Sequence, residues 1–266
     1  MAITATYDPV LSRIRLSATA LGATAVTAQF LRSTNGGISY TAVVRGGNSV
    51  PVASQNAAAD DYEWQPGVAT TYLVQGLAAN GAAVSIYTAT VTQDITSAWL
   101  KVPAAPFLNT PVTVVDHGDV TRKSRAGLFP IVGRSKPVMV GDIASSIFYD
   151  LQLLTQDAAG ESNLDYLFAS GEVVFLQLPS TVTNVPGGYF SVGDVSRTPT
   201  LRLSPRRVWT VPLTEVAAPG PDVVGSAYTW TSVLADYATW TTLTAANATW
   251  SALLARTGSP SDVIVA

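Results

Sequence analysis

Short segments in which apolar and polar residues alternate, separated by glycine-bearing turns, run through the first hundred residues of this 266-residue chain. In residues 13–17, Ile14 and Leu16 are apolar while Arg13, Arg15 and Ser17 are polar. A repeat of two marks a strand with one buried face. A second run, residues 25–33, leads through Asn35-Gly36-Gly37 into residues 38–44. Asn-Gly between two such runs predicts a tight hairpin, because primed turns need positive φ. Arg45-Gly46-Gly47-Asn48 supplies another turn, and Ala79-Asn80-Gly81 separates the runs at 70–77 and 83–91. Short strands at regular spacing, with no helical pattern, predict a β-sandwich over residues 1–97.

Composition narrows the chemistry. The chain has no cysteine and one histidine, which removes disulfides, thiol nucleophiles, Cys-ligated zinc and multi-His metal cages. Charged residues are 12% of the chain against 47% hydrophobic, the reverse of a disordered composition. The length allows two domains or one large all-β unit with a full apolar core. Thr, Ser, Asn and Gln supply most of the polarity, and a net charge of −3 leaves little repulsion between copies. That is the surface expected of a subunit covered in an assembly. A Thr-rich β-protein from a GC-rich genome, with its abundant Ala and 12 Arg against 3 Lys, shares these features. No run of 18 apolar residues predicts a membrane-spanning helix. The first nine residues, Met1 to Pro9, lack the basic and apolar regions of a signal peptide. The balance is not basic enough for sequence-independent nucleic-acid binding.

The stretch Asp61-Tyr62-Glu63-Trp64-Gln65-Pro66-Gly67-Val68-Ala69-Thr70-Thr71-Tyr72-Leu73-Val74, ending in Asn80-Gly81, resembles the last third of a fibronectin type III domain. The resemblance covers about 85 residues and implies that Tyr72 is the corner tyrosine, its hydroxyl bonded to nearby backbone. The tryptophan that the family places on its second strand is missing there. Modules of this kind are spacers or binding units.

Residues 98–111 contain Pro103, Pro106 and Pro111, which predicts an extended linker or edge segment. Strands are expected at 112–115, 138–140, 147–155 and 173–178. Ser162-Asn163-Leu164-Asp165 resembles a capping box, so a short helix is expected near 162–170, with Leu164, Leu167 and Phe168 inward and Gly171 at its C′ position. Residues 184–193 read as a loop. Residues 200–203 and 207–216 close a second β-unit spanning 112–218.

This order resembles the minor tail proteins of long-tailed phages that infect actinobacteria, whose central domain is a β-sandwich with one helix, related to tail-tube and distal-tail proteins. The matching residues are Gly133-Arg134-Ser135-Lys136-Pro137-Val138, the strand end Leu153-Leu154-Thr155, the helix with Leu164 and Leu167, and Gly171-Glu172-Val173-Val174-Phe175-Leu176-Gln177. No single motif is specific; their order over about 110 residues carries the resemblance.

Residues 219–266 hold three ten-residue repeats, opening Thr229-Trp230, Thr239-Trp240 and Thr249-Trp250. Over ten residues a continuous helix turns about 1000°, roughly 80° short of three turns, so the indoles would spiral around it. Separate helical turns with Thr as N-cap explain the recurring Thr-Trp pair better. They also let Trp230, Trp240 and Trp250 share a face with Val233, Leu243 and Leu253. Pro219-Gly220-Pro221 would be the hinge of this arm. These six side chains are the expected assembly contacts; stacking of the three indoles on a cell-surface polysaccharide is the alternative.

Catalytic candidates are sparse. Asp116-His117-Gly118-Asp119 has no accompanying nucleophile elbow and reads as turn chemistry. Asp60-Asp61-x-Glu63 lacks the spacing and glycine of a calcium loop and reads as a solvated loop. Arg122-Lys123-x-Arg125 and Arg202, Arg206 and Arg207 would face solvent, DNA in a tail lumen, or acids of a neighbouring subunit. No catalytic, cofactor-binding or metal-ligating residue is expected, and no cofactor. The expectation is a mainly β structural virion protein of a tail tip, assembled in the host cytoplasm. Its partners would be copies of itself in a ring and other tail proteins, with host cell-wall glycan as a further contact. A cell-surface polysaccharide-binding adhesin is the rival reading.

Overall fold

The computed structural model describes residues 3–40, 42–133, 135–141, 143–201, 204–220 and 239–246. The fold is mainly β. Its N-terminal strands are β1 (Ile3–Asp8), β2 (Arg13–Ala18), β3 (Thr27–Ser33), β4 (Ala42–Val43), β5 (Val50–Pro51), β6 (Ala57–Asp61), β7 (Thr70–Leu77) and β8 (Ala83–Val91). One antiparallel sheet runs β1-β2-β6; a second runs β4-β3-β7-β8, with β5 also on β3. Alternation places Ile14, Leu16 and Ala18 of β2 inward, where they meet Phe30, Trp64, Tyr72 and Val74 in one core. Complete burial of each such aliphatic side chain contributes roughly 1.5–3 kcal/mol.

The tight turn expected at Asn35-Gly36 is not formed. The ladder between β3 and β4 ends at Arg32↔Ala42, and left-handed φ falls on Gly36 and Gly37 rather than on Asn35. Side-chain oxygens hold this wider loop: Ser33 Oγ accepts from Gly37 N at 3.1 Å and Asn35 Oδ1 from Ser39 N at 3.1 Å. Such local acceptors compete with a two-residue turn.

The proline-bearing segment 98–111 is not a linker. It contains β9 (Ala98–Lys101), all four residues of which are buried, paired on one side with β10 (Thr110–His117) and on the other with β15 (Val174–Gln177). Because successive side chains of a strand point to opposite faces, Ala98 and Leu100 enter the second core while Trp99 enters the first. The two units therefore share a strand. Pro103 and Pro106 lie beyond it, in the turn that returns the chain through a short 3-10 segment (Pro106–Leu108) to β10.

The second unit continues with β11 (Thr121–Arg122), β12 (Ala126–Phe129), β13 (Val138–Gly141), β14 (Ile147–Thr155), helix α1 (Ala158–Ala169), β15, β16 (Gly188–Val192), β17 (Ser196–Pro199) and β18 (Arg207–Glu215). The pairings β14-β10-β9-β15-β16-β18 return to β14, so the sheet edges join into a six-stranded barrel. Its interior is filled by Leu100, Tyr149, Leu151, Leu176, Phe190, Trp209 and Val211. A barrel this small packs side chains and encloses no channel. The expected loop at 184–193 contains β16, and residues 200 and 201 form a bend after β17.

Helix α1 starts earlier than the Ser162 capping motif suggests. Asp157 is the N-cap, its Oδ1 accepting from Gly160 N at 2.8 Å. The chain leaves β14 at Thr155 and must turn at once, so the first available capping side chain sets the start. The first turn, Ala158-Ala159-Gly160, carries no apolar period to reveal it. Leu164 and Leu167 do enter the core, and Gly171 adopts φ +67° just beyond the Ser170 C-cap. No helix among the described residues is long and apolar enough to cross a membrane.

Candidate interaction surfaces

The junction between the sandwich and the barrel holds a connected set of buried polar groups, among them Ser12, Lys101 and Gln177. Lys101 projects from the shared strand with 1% of its surface exposed. Its Nζ donates to the carbonyls of Ser12 at 2.5 Å and Tyr62 at 2.8 Å and lies 5.9 Å from the Trp64 ring centroid. Burial disfavours the ammonium and brings its pKa from 10.5 down to about 7, against the opposing pull of Asp61 and Glu63. Around it, Trp64 Nε1 donates to Ser12 O at 3.0 Å. Ser12 Oγ donates to Gln177 Oε1 at 3.1 Å, and Gln177 Nε2 to Trp64 O at 2.5 Å. Across the same boundary Tyr189 donates to Glu63 Oε1 at 2.8 Å, and Ser180 Oγ to Asp94. Gly67, at φ +73°, approaches Ser180 so closely that a Cβ there would stand 2.4 Å from the serine Cβ. These bonds tie the two units together across the shared strand. Of these residues Trp64, Gly67, Gln177 and Ser180 line a cleft of about 560 Å³ between Trp64–Val68 and Phe175–Ser180.

The carboxylates Asp60, Asp61 and Glu63 are not a solvated loop. Each faces an arginine: Asp60 pairs with Arg13 at 2.7 Å, Asp61 with Arg32 at 2.8 Å, and Glu63 with Arg45 at 2.8 Å. Asp61 is 1% exposed and accepts from Arg32 Nη1 on both oxygens, from Glu63 N at 2.9 Å and from the Tyr72 hydroxyl at 2.8 Å. Tyr72 thus bonds a carboxylate instead of the expected backbone group, because β6 ends with Asp61 facing the core beside it. Burial, with the Asp61 charge, pushes the Tyr72 pKa far upward, which keeps the hydroxyl a donor. Such a fully hydrogen-bonded carboxylate has no lone pair left for a metal. Among the described residues no three His, Cys, Asp or Glu side chains cluster in a metal-binding arrangement.

A different surface lies on the barrel. β12 and β13 pair with each other, Phe129↔Val138 through Ala126↔Gly141, and with no other described strand. The ribbon leaves the barrel where Lys123 N donates to Ser145 Oγ at 2.9 Å and Ser145 N to Lys123 O at 3.0 Å. Leu128, Phe129, Met139 and Val140 are each more than half exposed. As neighbours on a strand face opposite ways, both faces of the ribbon are apolar. Residues 120–141 also carry Arg122, Lys123, Arg125, Arg134 and Lys136 and no acidic residue, while the remaining chain holds 18 acidic groups against 10 basic ones.

Of the expected assembly contacts, Trp240 and Leu243 fall in α2 (Trp240–Ala246); Trp230, Val233, Trp250 and Leu253 lie outside the described residues. Thr239 Oγ1 accepts from Thr242 N at 3.3 Å, an N-cap geometry at the start of α2. Leu243 is buried and Trp240 is 57% exposed. His117 contacts Gly118 O through Nδ1 at 2.9 Å and lies edge-on to Tyr149. Arg207 bonds Ser204 O and sits 3.9 Å from Glu161, which with Asp165 also pairs Arg197. Arg122 lies 3.7 Å from Glu215; Arg202 lies outside the described residues.

Sequence reasoning passed over Lys101, Ser12 and Gln177 and the exposure of the ribbon. A lysine inside the apolar run Trp99-Leu100-Lys101-Val102 was the available signal, since an interior cation needs acceptors. No known family model and no curated protein matches this chain.

Proposed function

We propose that the protein is a non-enzymatic structural component of a long-tailed phage tail tip, built to associate with further copies of itself. The observation that carries this reading is the β12–β13 ribbon. An isolated two-stranded hairpin is marginal in water, and one with apolar side chains on both faces and two open edges calls for a covering surface. A second copy fits it by charge: the ribbon and its base are basic, and the remainder of the chain is strongly acidic in balance. The junction suits a load-bearing part, because sandwich and barrel share β9 and are bonded across it by buried groups. The sheet order β1-β2-β6 over β4-β3-β7-β8 supports the fibronectin type III resemblance, and the barrel with one intervening helix supports the tail-protein one. In this reading the repeats around Trp240 add contacts to neighbouring subunits.

The test is sedimentation of the full-length chain. The wild type is expected to form closed, symmetric oligomers at high micromolar concentration. Phe129→Ser with Met139→Ser is expected to leave monomers, with an unchanged melting temperature at dilutions where the wild type is also monomeric, since both side chains are exposed. High salt should weaken association without abolishing it, as the screening length falls from about 10 Å at 0.1 M to about 3 Å at 1 M. A wild-type chain that stays monomeric, or a double variant that assembles like the wild type, refutes the reading.

A further inference from the structure

After β18 the chain leaves the barrel as a segment, residues 216–220, that belongs to no strand or helix. Val216 N still donates to Tyr189 O of the barrel at 2.9 Å. A few residues later the segment has reached the sandwich, where Arg45 Nη2 donates to Pro219 O at 3.2 Å and Nη1 to Gly220 O at 2.5 Å. We propose that Arg45 is the anchor of a strap: it fastens residues 216–220 across the junction, so that the C-terminal repeats begin from a fixed point on the sandwich. Pro219 and Gly220, expected from sequence to belong to a hinge, are then its clamped end.

Local structure sets the anchor in place. Arg45 follows β4 in a tight turn that Gly47 N closes on Val44 O at 2.7 Å. Gly46 has φ +70°, the left-handed conformation that a type II turn takes at its third position. The turn is fastened to β3, because Phe30 N donates to Gly47 O at 2.8 Å and Val44 N to Phe30 O at 3.0 Å. From this tip the guanidinium meets Glu63 in a fork, Nε to Oε2 at 3.1 Å and Nη2 to Oε1 at 2.8 Å. The two side chains are only 10% and 7% exposed. The carboxylate neutralises the charge, and the donors it leaves over are aimed at the strap carbonyls. Lysine, with a single ammonium, could not serve two carboxylate oxygens and two carbonyls from one plane.

Little else holds the strap down. Ala217, Ala218 and Gly220 are exposed and Pro219 is only partly buried, so apolar burial contributes little there. Glu63 Oε1 also accepts from the Tyr189 hydroxyl of the barrel at 2.8 Å. One carboxylate thus joins sandwich, barrel and, through Arg45, the strap. The anchor acts within a single copy and does not depend on the tail-tip reading.

The test uses the full-length chain, whose lack of cysteine permits clean labelling. Spin labels at Ala58→Cys and Ala218→Cys, both exposed sites, report the distance between strap and sandwich by double electron–electron resonance in dilute, monomeric protein. A single narrow distance distribution is expected. Arg45→Ala should at least double its width, and Arg45→Lys should fall between. Arg45→Met with Glu63→Gln should broaden it as much as Arg45→Ala does. That pair strands no buried charge and so keeps both units folded. Tyr189→Phe removes the barrel's side-chain bond to Glu63 but leaves the Arg45 contacts, and the distribution should stay narrow. A broad distribution in the labelled protein without further substitution overturns the proposal. So does an unchanged width in the folded Arg45→Met, Glu63→Gln variant, or broadening by Tyr189→Phe equal to that by Arg45→Ala.

Discussion

Replacing Asp61 by alanine is expected to remove about 3–5 kcal/mol from the folding free energy, out of a total of about 5–15 kcal/mol for a typical protein. The variant would leave the Arg32 guanidinium, whose side chain is 16% exposed, without its counter-charge. It would also strand the Tyr72 hydroxyl in the core. Breaking a buried pair from one side is costly because the surviving charge stays buried, and an orphaned hydroxyl adds about 1–3 kcal/mol that is not fully additive. Asp61→Asn should fall between, since its single oxygen can still accept from one of Tyr72 and Glu63 N, which bond different carboxylate oxygens in the wild type. The control is its neighbour: Asp60 is 32% exposed in its side chain, and an ion pair so open to water contributes about 0–1 kcal/mol. Urea unfolding of the three variants measures the differences. Equal losses at Asp60→Ala and Asp61→Ala would show that burial of the Arg32–Asp61–Tyr72 cluster does not govern its strength.

Stability should also rise with pH through the alkaline range, and Lys101 should be the cause. Burial takes its pKa from 10.5 to about 7. Below the lower value both states hold the proton, and the full cost of the buried ammonium is present. Between the two values the unfolded chain keeps a proton that the folded chain has released. Unfolding free energy therefore increases with pH there, by at most about 1.4 kcal/mol per unit. Above the upper value the gain is complete. Lys101→Met lacks the titration, and a side chain of similar length fills most of the space. The difference in unfolding free energy between wild type and Lys101→Met should change steadily from pH 7.5 to 9.5. The wild type gains on the variant over that range. Parallel curves would place the proton elsewhere.

Several elements were legible because local pattern and burial agree in them. β14 spans the residues expected, since an alternating apolar strand with Tyr149, Leu151 and Leu153 inward reads the same in sequence and in the barrel. Gly171 takes the left-handed turn after α1 for which glycine is the suited residue. The Gly81 turn likewise joins β7 to β8, with Gly81 N donating to Ala78 O at 2.8 Å. β9 was misread for a physical reason. A strand serving two cores at once has both faces buried, so its four residues show no alternation, and the following prolines suggest a linker. The start of α1 was hidden because a capping aspartate and two alanines carry no period. Asp60, Asp61 and Glu63 looked like a surface loop because their partners Arg13, Arg32 and Arg45 are distant in sequence.

The chain by itself determined that this is a β protein. Side chains alternate in short runs, glycines allow the turns, and the absence of cysteine leaves stability to apolar burial. Those are properties of a residue and its near neighbours. Tertiary structure alone decided that the two units share a strand, that a lysine lies between them, and that one ribbon keeps apolar faces uncovered. Each depends on which distant segments meet, and burial and charge pairing are properties of that meeting.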